Sequence, residues 1–335
     1  MLKDFAVLPR LALVVCFAVL AGPAFAQVTI FSAFNLPPAV DGGVSKHADI
    51  EYSPRKGLKL DVYRPEQQDG PAPVVMFIYG GGWAAGDKFE YEFVGRAFAA
   101  NGYVTVIADY RKYPDATYPY FLYDNAEAMR WVEHNIAEFG GDPMRFFLAG
   151  HSAGAYNAVM LTLDRSLLAE VGVTMPVRAV AGISGPYNFY PFEYDEVRRT
   201  FGEAPNPEGT QPVNLVTSEA PPMLLASGTT DPIVRVENTQ ALAQRLKAQG
   251  IWVTEKYYDG FGHMEPVIAL GALWRWRMPV LSDVLDFYQT FGAFPSGARR
   301  PLYIPEPPVE QQDPMTALIK EMDAILEPIS GAQGG

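Results

Sequence analysis

Residues 145–163 read RFFLAGHSAGAYNAVMLTL, and their interpretation decides the fold. Arg145 to Ala149 has the composition of a short buried strand, and Ala153 to Leu163 that of an apolar helix. Between them, Gly150-His151-Ser152-Ala153-Gly154 fits the pattern G-x-S-x-G. A serine on so tight a strand-to-helix turn projects its hydroxyl above the sheet, and the small flanking residues prevent clashes there. The helix that follows aims its free N–H groups at the same point. A Gly-rich connection with a capping serine is the alternative, which the strand–turn–helix context disfavours.

Working outward, strands and helices alternate. The segments 57–65 (GLKLDVYRP), 73–79 (PVVMFIY), 103–108 (YVTVIA), 177–183, 222–226 (PMLLA) and 252–257 read as strands. Helices are expected over 89–99, 124–139 (capped by Asp124), 238–248 and 280–291. This rhythm predicts an α/β fold with a mostly parallel central sheet and helices on both faces. The first strand is expected to pair antiparallel at one edge. Residues 186–221 break the rhythm and predict a short cap insertion over the carboxyl edge of the sheet. The insertion opens with five aromatics, Tyr187, Phe189, Tyr190, Phe192 and Tyr194. These could wall a pocket or form a small satellite core, and the sequence leaves both open.

A catalytic serine needs a base. Of four histidines, His151 adjoins the serine, His134 lies inside a helix and His47 precedes the first strand. His263 falls in the loop after the last strand, at the carboxyl edge. Asp231 emerges at the same edge and would orient the imidazole; Asp259 is the rival acid, too close in sequence to His263 without a fold-back. The chain order Ser152, Asp231, His263 suits this assignment. Gly80-Gly81-Gly82 follows the strand at 73–79, and the N–H groups of Gly81, Gly82 and Ala153 are candidate oxyanion donors. Trp83, Tyr187 and Phe189 are candidate substrate contacts.

These stretches resemble the α/β-hydrolase superfamily, in particular its carboxylesterases of the hormone-sensitive-lipase-like and feruloyl-esterase-like groups. The resemblance runs from about residue 58 to 291. It rests on LDVYRP, GGGWAAGDK, DYRKYPDATYP, FGGDPMRFFLAGHSAG, LLASGTTDPIV and GFGH. It implies the α/β-hydrolase fold and hydrolysis of a small-molecule carboxylic ester by a serine esterase, through an acyl-enzyme and with no metal or other cofactor. An amidase, formamidase or aminopeptidase-like hydrolase is the alternative on the same fold, followed by a non-catalytic binding protein. The group places His before its glycines, where this chain has Tyr79.

The chain has 335 residues, 49% hydrophobic and 19% charged, which excludes wholesale disorder. Its net charge of −12, without a basic cluster, argues against nucleic-acid binding. Lys3 and Arg10, the apolar run 11–20 and Ala24-Phe25-Ala26 predict a signal peptide over residues 1–26, too short in its apolar part to span a bilayer. The expected location is periplasmic or secreted, with no membrane span in the mature chain. The single cysteine, Cys16, would leave with the leader. The remainder divides into a catalytic domain over 27–294 and a Pro-rich tail over 295–335 with one short helix at 315–326.

Overall fold

A computed structural model describes Asn35 and residues 41–293. The expected leader and the expected tail with its helix lie outside the described residues. Eight strands form one sheet: β1 (Val44–Ser53), β2 (Leu58–Pro65), β3 (Ala72–Ile78), β4 (Val104–Ala108), β5 (Gly141–His151), β6 (Val177–Ile183), β7 (Met223–Gly228) and β8 (Val253–Tyr258). Their spatial order is β1-β2-β4-β3-β5-β6-β7-β8. The β1–β2 and β2–β4 pairs are antiparallel and every other pair is parallel. All residues of β3 and β4 are buried, so both faces of the sheet's middle are covered. The expected α/β architecture is therefore present.

The helices are α1 (Glu92–Ala100), α2 (Tyr120–Asn135), α3 (Ala153–Leu163), α4 (Arg165–Val171), α5 (Asp195–Phe201), α6 (Glu237–Ala248), α7 (Glu265–Ile268) and α8 (Val280–Thr290). Ten of the eleven residues of α3 are buried, which explains its apolar sequence: it lies inside the protein, not on its surface. Among the described residues no helix is long and apolar enough to cross a membrane.

Four expectations need correction. The strand over 58–65 is not the edge: β1 lies outside it and carries His47, which was expected to precede the first strand. β1 escaped notice because it is charged and half-exposed, and register shifts interrupt its pairing; such features protect an edge from further strand addition. The helix expected at 124–139 runs over Tyr120–Asn135, with residues 136–139 in a tighter 3₁₀ turn. Asp124 is consequently not a cap. It sits in the second turn of α2 with its side chain fully buried, and its carboxylate accepts hydrogen bonds from Lys56 Nζ (2.8 Å), Arg111 Nε (2.8 Å) and the Arg111 backbone N–H (3.0 Å). One carboxylate thus ties the β1–β2 turn and the chain leaving β4 to α2.

The insertion over 186–221 carries secondary structure of its own. It contains α5 and two 3₁₀ turns, and side-chain oxygens pin its start. Asn238 Oδ1 accepts from the N–H groups of Tyr187 and Asn188, and Gln211 Oε1 from those of Phe189 and Tyr190. Tyr156 of α3 donates its hydroxyl to the Thr210 carbonyl at 2.7 Å. The cap is therefore fastened both to α6 and to the buried helix behind Ser152.

Replacing Asp124 by Ala should cost about 3 kcal/mol in urea unfolding, the low end for breaking a buried ion pair. The low end applies because both cations keep access to water, at 24% and 28% side-chain exposure. A loss under about 1 kcal/mol, the scale of a surface pair, would show that this carboxylate is no staple.

Candidate active site

β5 delivers the chain into Ser152, whose backbone sits at φ 54° and ψ −125°. A non-glycine residue there stores strain on the order of 1–3 kcal/mol, tolerated only where surroundings over-determine it. They do so here. The Ser152 N–H donates to Ile183 O of β6 at 2.9 Å, and the Ser152 carbonyl accepts from Ala155 and Tyr156 of α3 at 2.9 and 3.1 Å. The glycines give the room. A methyl on Gly150 would stand 2.3 Å from the Gly154 carbonyl oxygen, and one on Gly154 would stand 2.0 Å from that of Ile78. Both glycines are thus required by close backbone approach, which is the physical content of the G-x-S-x-G spacing.

The structure brings Ser152, His263 and Asp231 together. His263 Nε2 lies 2.9 Å from Ser152 Oγ, and His263 Nδ1 lies 2.7 Å from Asp231 Oδ2. A carboxylate can only accept, so the proton is on Nδ1, and Nε2 is left free to accept from the serine hydroxyl. Asp231 is held in turn: its Oδ1 accepts from the N–H groups of Ile233 (2.9 Å) and Val234 (2.8 Å). All three residues are buried, and they leave the carboxyl ends of parallel strands β5, β7 and β8. The rival acid, Asp259, is exposed and accepts instead from the Thr229 hydroxyl at 3.1 Å. His134 is exposed and donates to the Arg130 carbonyl within its own helix, and His47 packs edge-on against Phe139. His151 is buried beside His263, its Nε2 3.2 Å from the His263 carbonyl oxygen.

The glycine turn follows β3. Gly81 and Gly82 have φ of 118° and 59°, and a methyl on Gly81 would stand 2.3 Å from Ala85 O. The Gly81 carbonyl closes the turn by accepting from Ala84 and Ala85 N–H at 3.1 and 2.9 Å. Gly80 comes so close to the nucleophile that a methyl on it would stand 3.0 Å from Ser152 Cβ. Gly81, Gly82 and Ala153 all line one cavity with Ser152. Ala153 is the first residue of α3, where backbone N–H groups have no acceptor within the helix.

Tyr79 anchors this turn although the resemblance favours His there. Its hydroxyl donates to Asp109 Oδ1 at 3.1 Å and accepts from Lys112 Nζ at 3.1 Å. Its ring lies between Tyr91 and Tyr110, with centroids 5.8 and 4.8 Å away, and Tyr110 donates its hydroxyl to the Tyr79 carbonyl at 3.0 Å. Burial, then the negative charge of Asp109, pushes the Tyr79 hydroxyl well above its usual pKa, so it remains a donor.

The cavity has a volume of about 870 Å³. Trp83 and Phe189 line it, stacked with centroids 5.9 Å apart. Trp83 Nε1 donates to Asn157 Oδ1 at 3.0 Å, which fixes the indole plane. Tyr187 does not line the cavity and is corrected from substrate contact to packing residue. Its ring is wholly buried against Gly182 and Gly185, because neither glycine has a side chain to keep it out. Of the other aromatics, Tyr190 and Tyr194 line the cavity, whereas Phe192 packs on Phe189 and Phe201. The insertion is therefore both wall and satellite core, divided residue by residue. Sequence reasoning missed Tyr91, Glu193, Val197, Ile233, Arg235 and Met264, which also line the cavity. Met264 and Ile233, beside His263 and Asp231, and Glu193 and Val197, inside the insertion, carried a positional signal; Tyr91 and Arg235 carried none.

The BD-FAE family model matches residues 60–246, more than half of the chain. The chain belongs to the BD-FAE family. The match stops short of His263, so the meeting of that histidine with Ser152 is known from geometry alone. The "Isoprenylcysteine alpha-carbonyl methylesterase ICME" of Arabidopsis thaliana is 28% identical over 278 residues, 76% of this BD-FAE chain and 63% of that protein. "Esterase LipQ" of Mycobacterium tuberculosis is 30% identical over 275 residues, covering 76% and 64%. The BD-FAE chain thus spans less than two thirds of either relative. Among solved structures, esterase B from Lactobacillus rhamnosis superposes with a TM-score of 0.67 at 22% identity, over 78% of this chain and 90% of that one. Thermogutta terrifontis esterase 2 gives 0.65 at 22% identity, over 76% and 96%. Both share the α/β-hydrolase fold with this protein.

Phe201 and Tyr190 should separate the two roles of the insertion. Phe201 is fully buried against Trp83, Tyr156 and Phe189, so Phe201→Ala should cost about 3–5 kcal/mol in thermal unfolding. Tyr190 is 43% exposed and lines the cavity, so Tyr190→Ala should leave stability nearly unchanged and alter the preference between acetyl and benzoyl esters. The reverse pattern would refute this division.

Proposed function

We propose that the protein is a serine hydrolase that cleaves carboxylic esters. The observation that carries this reading is the hydrogen-bonded series Ser152–His263–Asp231 opening on a cavity walled by Trp83 and Phe189. His263 Nε2 takes the Ser152 proton as Oγ attacks the acyl carbon, and Asp231 stabilises the resulting imidazolium. The N–H groups of Gly81, Gly82 and Ala153 receive the oxyanion. His263 then protonates the departing alkoxide, which leaves as the alcohol, and Oγ keeps the acyl group. Water attacks that ester with His263 again as base, releasing the carboxylic acid and restoring the serine hydroxyl. No step calls for a metal or an organic cofactor.

Relatives named as methylesterase and esterase support ester over amide substrates. The aromatic wall supports an acyl or aryl group of moderate size. Export through a leader over residues 1–26, to the periplasm or beyond, is part of the proposal and rests on the sequence pattern alone.

A panel of p-nitrophenyl esters and aminoacyl anilides tests the reading. Esters should be cleaved much faster than anilides, with activity unchanged in excess EDTA. Ser152→Ala should fold and lose on the order of 10⁴–10⁶ in kcat. Asp231→Asn should lose less than His263→Ala, and Asp259→Asn should stay near wild type. Efficient anilide cleavage, loss of activity to chelator, or a greater loss from Asp259→Asn than from Asp231→Asn would overturn the corresponding part.

A further inference from the structure

The proposed mechanism leaves one buried titratable side chain at its centre unused. His151 precedes Ser152 in the chain, is 1% exposed, and its ring centroid lies 4.9 Å from that of His263. Its Nε2 is 3.2 Å from the His263 carbonyl oxygen. A carbonyl only accepts, so Nε2 must carry the proton and Nδ1 must be bare. Nδ1 then has no hydrogen-bond partner among the described residues. A buried acceptor left unmade costs stability, so an apolar side chain would serve packing better. The cost is accepted where the donation from Nε2 matters.

The contacts form a closed circuit. From Ser152 Oγ the path runs to the His263 ring at 2.9 Å, through that residue to its carbonyl, across to the His151 ring, and along one peptide bond back to Ser152. Two hydrogen bonds and the covalent geometry of three residues, His263, His151 and Ser152, therefore set the height of the imidazole over the hydroxyl. The His151 ring has little freedom to move. A methyl on Gly80 would stand 3.0 Å from its Nδ1, and the Tyr91 ring centroid lies 6.5 Å away across the ring. The rest of the His263 loop is tied elsewhere: Phe261 O accepts from Thr230 N–H, and Glu265 Oε2 from Gly262 N–H, both at 3.0 Å.

We infer that His151 is a positioning residue: by donating Nε2–H to the His263 carbonyl it holds the triad histidine in register with Ser152. The inference rests on the serine-hydrolase reading above. The two imidazoles have opposite duties. His263 must accept a proton during turnover, with Asp231 to stabilise it. His151 must remain neutral, since a second cation would oppose that step. Burial first, and the neighbouring His263 second, hold the His151 pKa well below its usual value.

The test compares two side chains of nearly equal length, only one of which can donate. In His151→Gln the amide N–H can reach the His263 carbonyl; in His151→Met it cannot. For p-nitrophenyl butyrate, the Met variant should lose on the order of 100-fold in kcat with KM little changed, the effect of displacing a catalytic group by about an ångström, and Gln should recover most of it. Labelling of Ser152 by a fluorophosphonate should slow in parallel for Met and recover for Gln. Melting temperatures of the two variants should be similar, so a merely structural role cannot produce the split. If Met does not fold, His151→Asn, whose amide is too short to reach, takes its place against Gln. Equal kcat in the donor and non-donor variants would overturn the inference, whether both are wild-type-like or both impaired. Wild-type labelling is the control: without it the serine-hydrolase reading fails and this inference with it, whereas normal wild-type labelling with equal variants sinks this inference alone.

Discussion

The contact between Gly150 and Gly154 is the constraint from which the site follows. Gly150 lies so close to the Gly154 carbonyl oxygen, and Gly154 in turn so close to that of Ile78, that a methyl on either would overlap it. That approach is what allows a serine at φ 54° between a strand and a helix. The strain at Ser152 is offset by three backbone hydrogen bonds that belong to β6 and α3, which are themselves buried in the core. The hydroxyl is therefore placed by buried elements of the core, and the remaining groups are brought to it by loops.

Those loops are each over-determined by polar contacts within the cap and the sheet's edge. Asp231 is fixed by two backbone N–H groups, the glycine turn by Tyr79 and its aromatic neighbours, and the cap by Asn238 and Gln211. Tyr79 shows how a different side chain can perform an expected task. A phenol between Asp109 and Lys112 secures the end of β3, and stacking supplies the rest. The backbone donors that follow do not depend on which side chain does the securing.

Much of this was legible in the sequence. Ser152 and Asp231 could be placed because the strands before them are buried and announce themselves by apolar runs, whereas His263 stood out by elimination among four histidines and by its loop after the half-exposed last strand. The helix over 153–163 was legible to the residue because all but a few of its residues are apolar. The misses have a common cause. β1 is charged and irregular, Asp124 looks like a cap until its two cations, distant in sequence, are brought to it, and Tyr187 looks like its four aromatic neighbours until Gly182 and Gly185 are seen beneath it. Whether a charged segment pairs as a strand, a carboxylate is buried or a ring turns inward is decided by the packing of the folded chain, which local pattern does not encode. The division of the insertion into wall and core failed to show for the same reason.

The central claim is that Ser152 Oγ becomes acylated during turnover. Peptide mass spectrometry of protein mixed briefly with p-nitrophenyl butyrate, quenched in acid and then digested, tests it most directly. The account predicts one butyryl group on the peptide containing Ser152 in the wild type, and none in Ser152→Ala. Continued hydrolysis with an unmodified Ser152, or a butyryl group fixed at another residue, would contradict it.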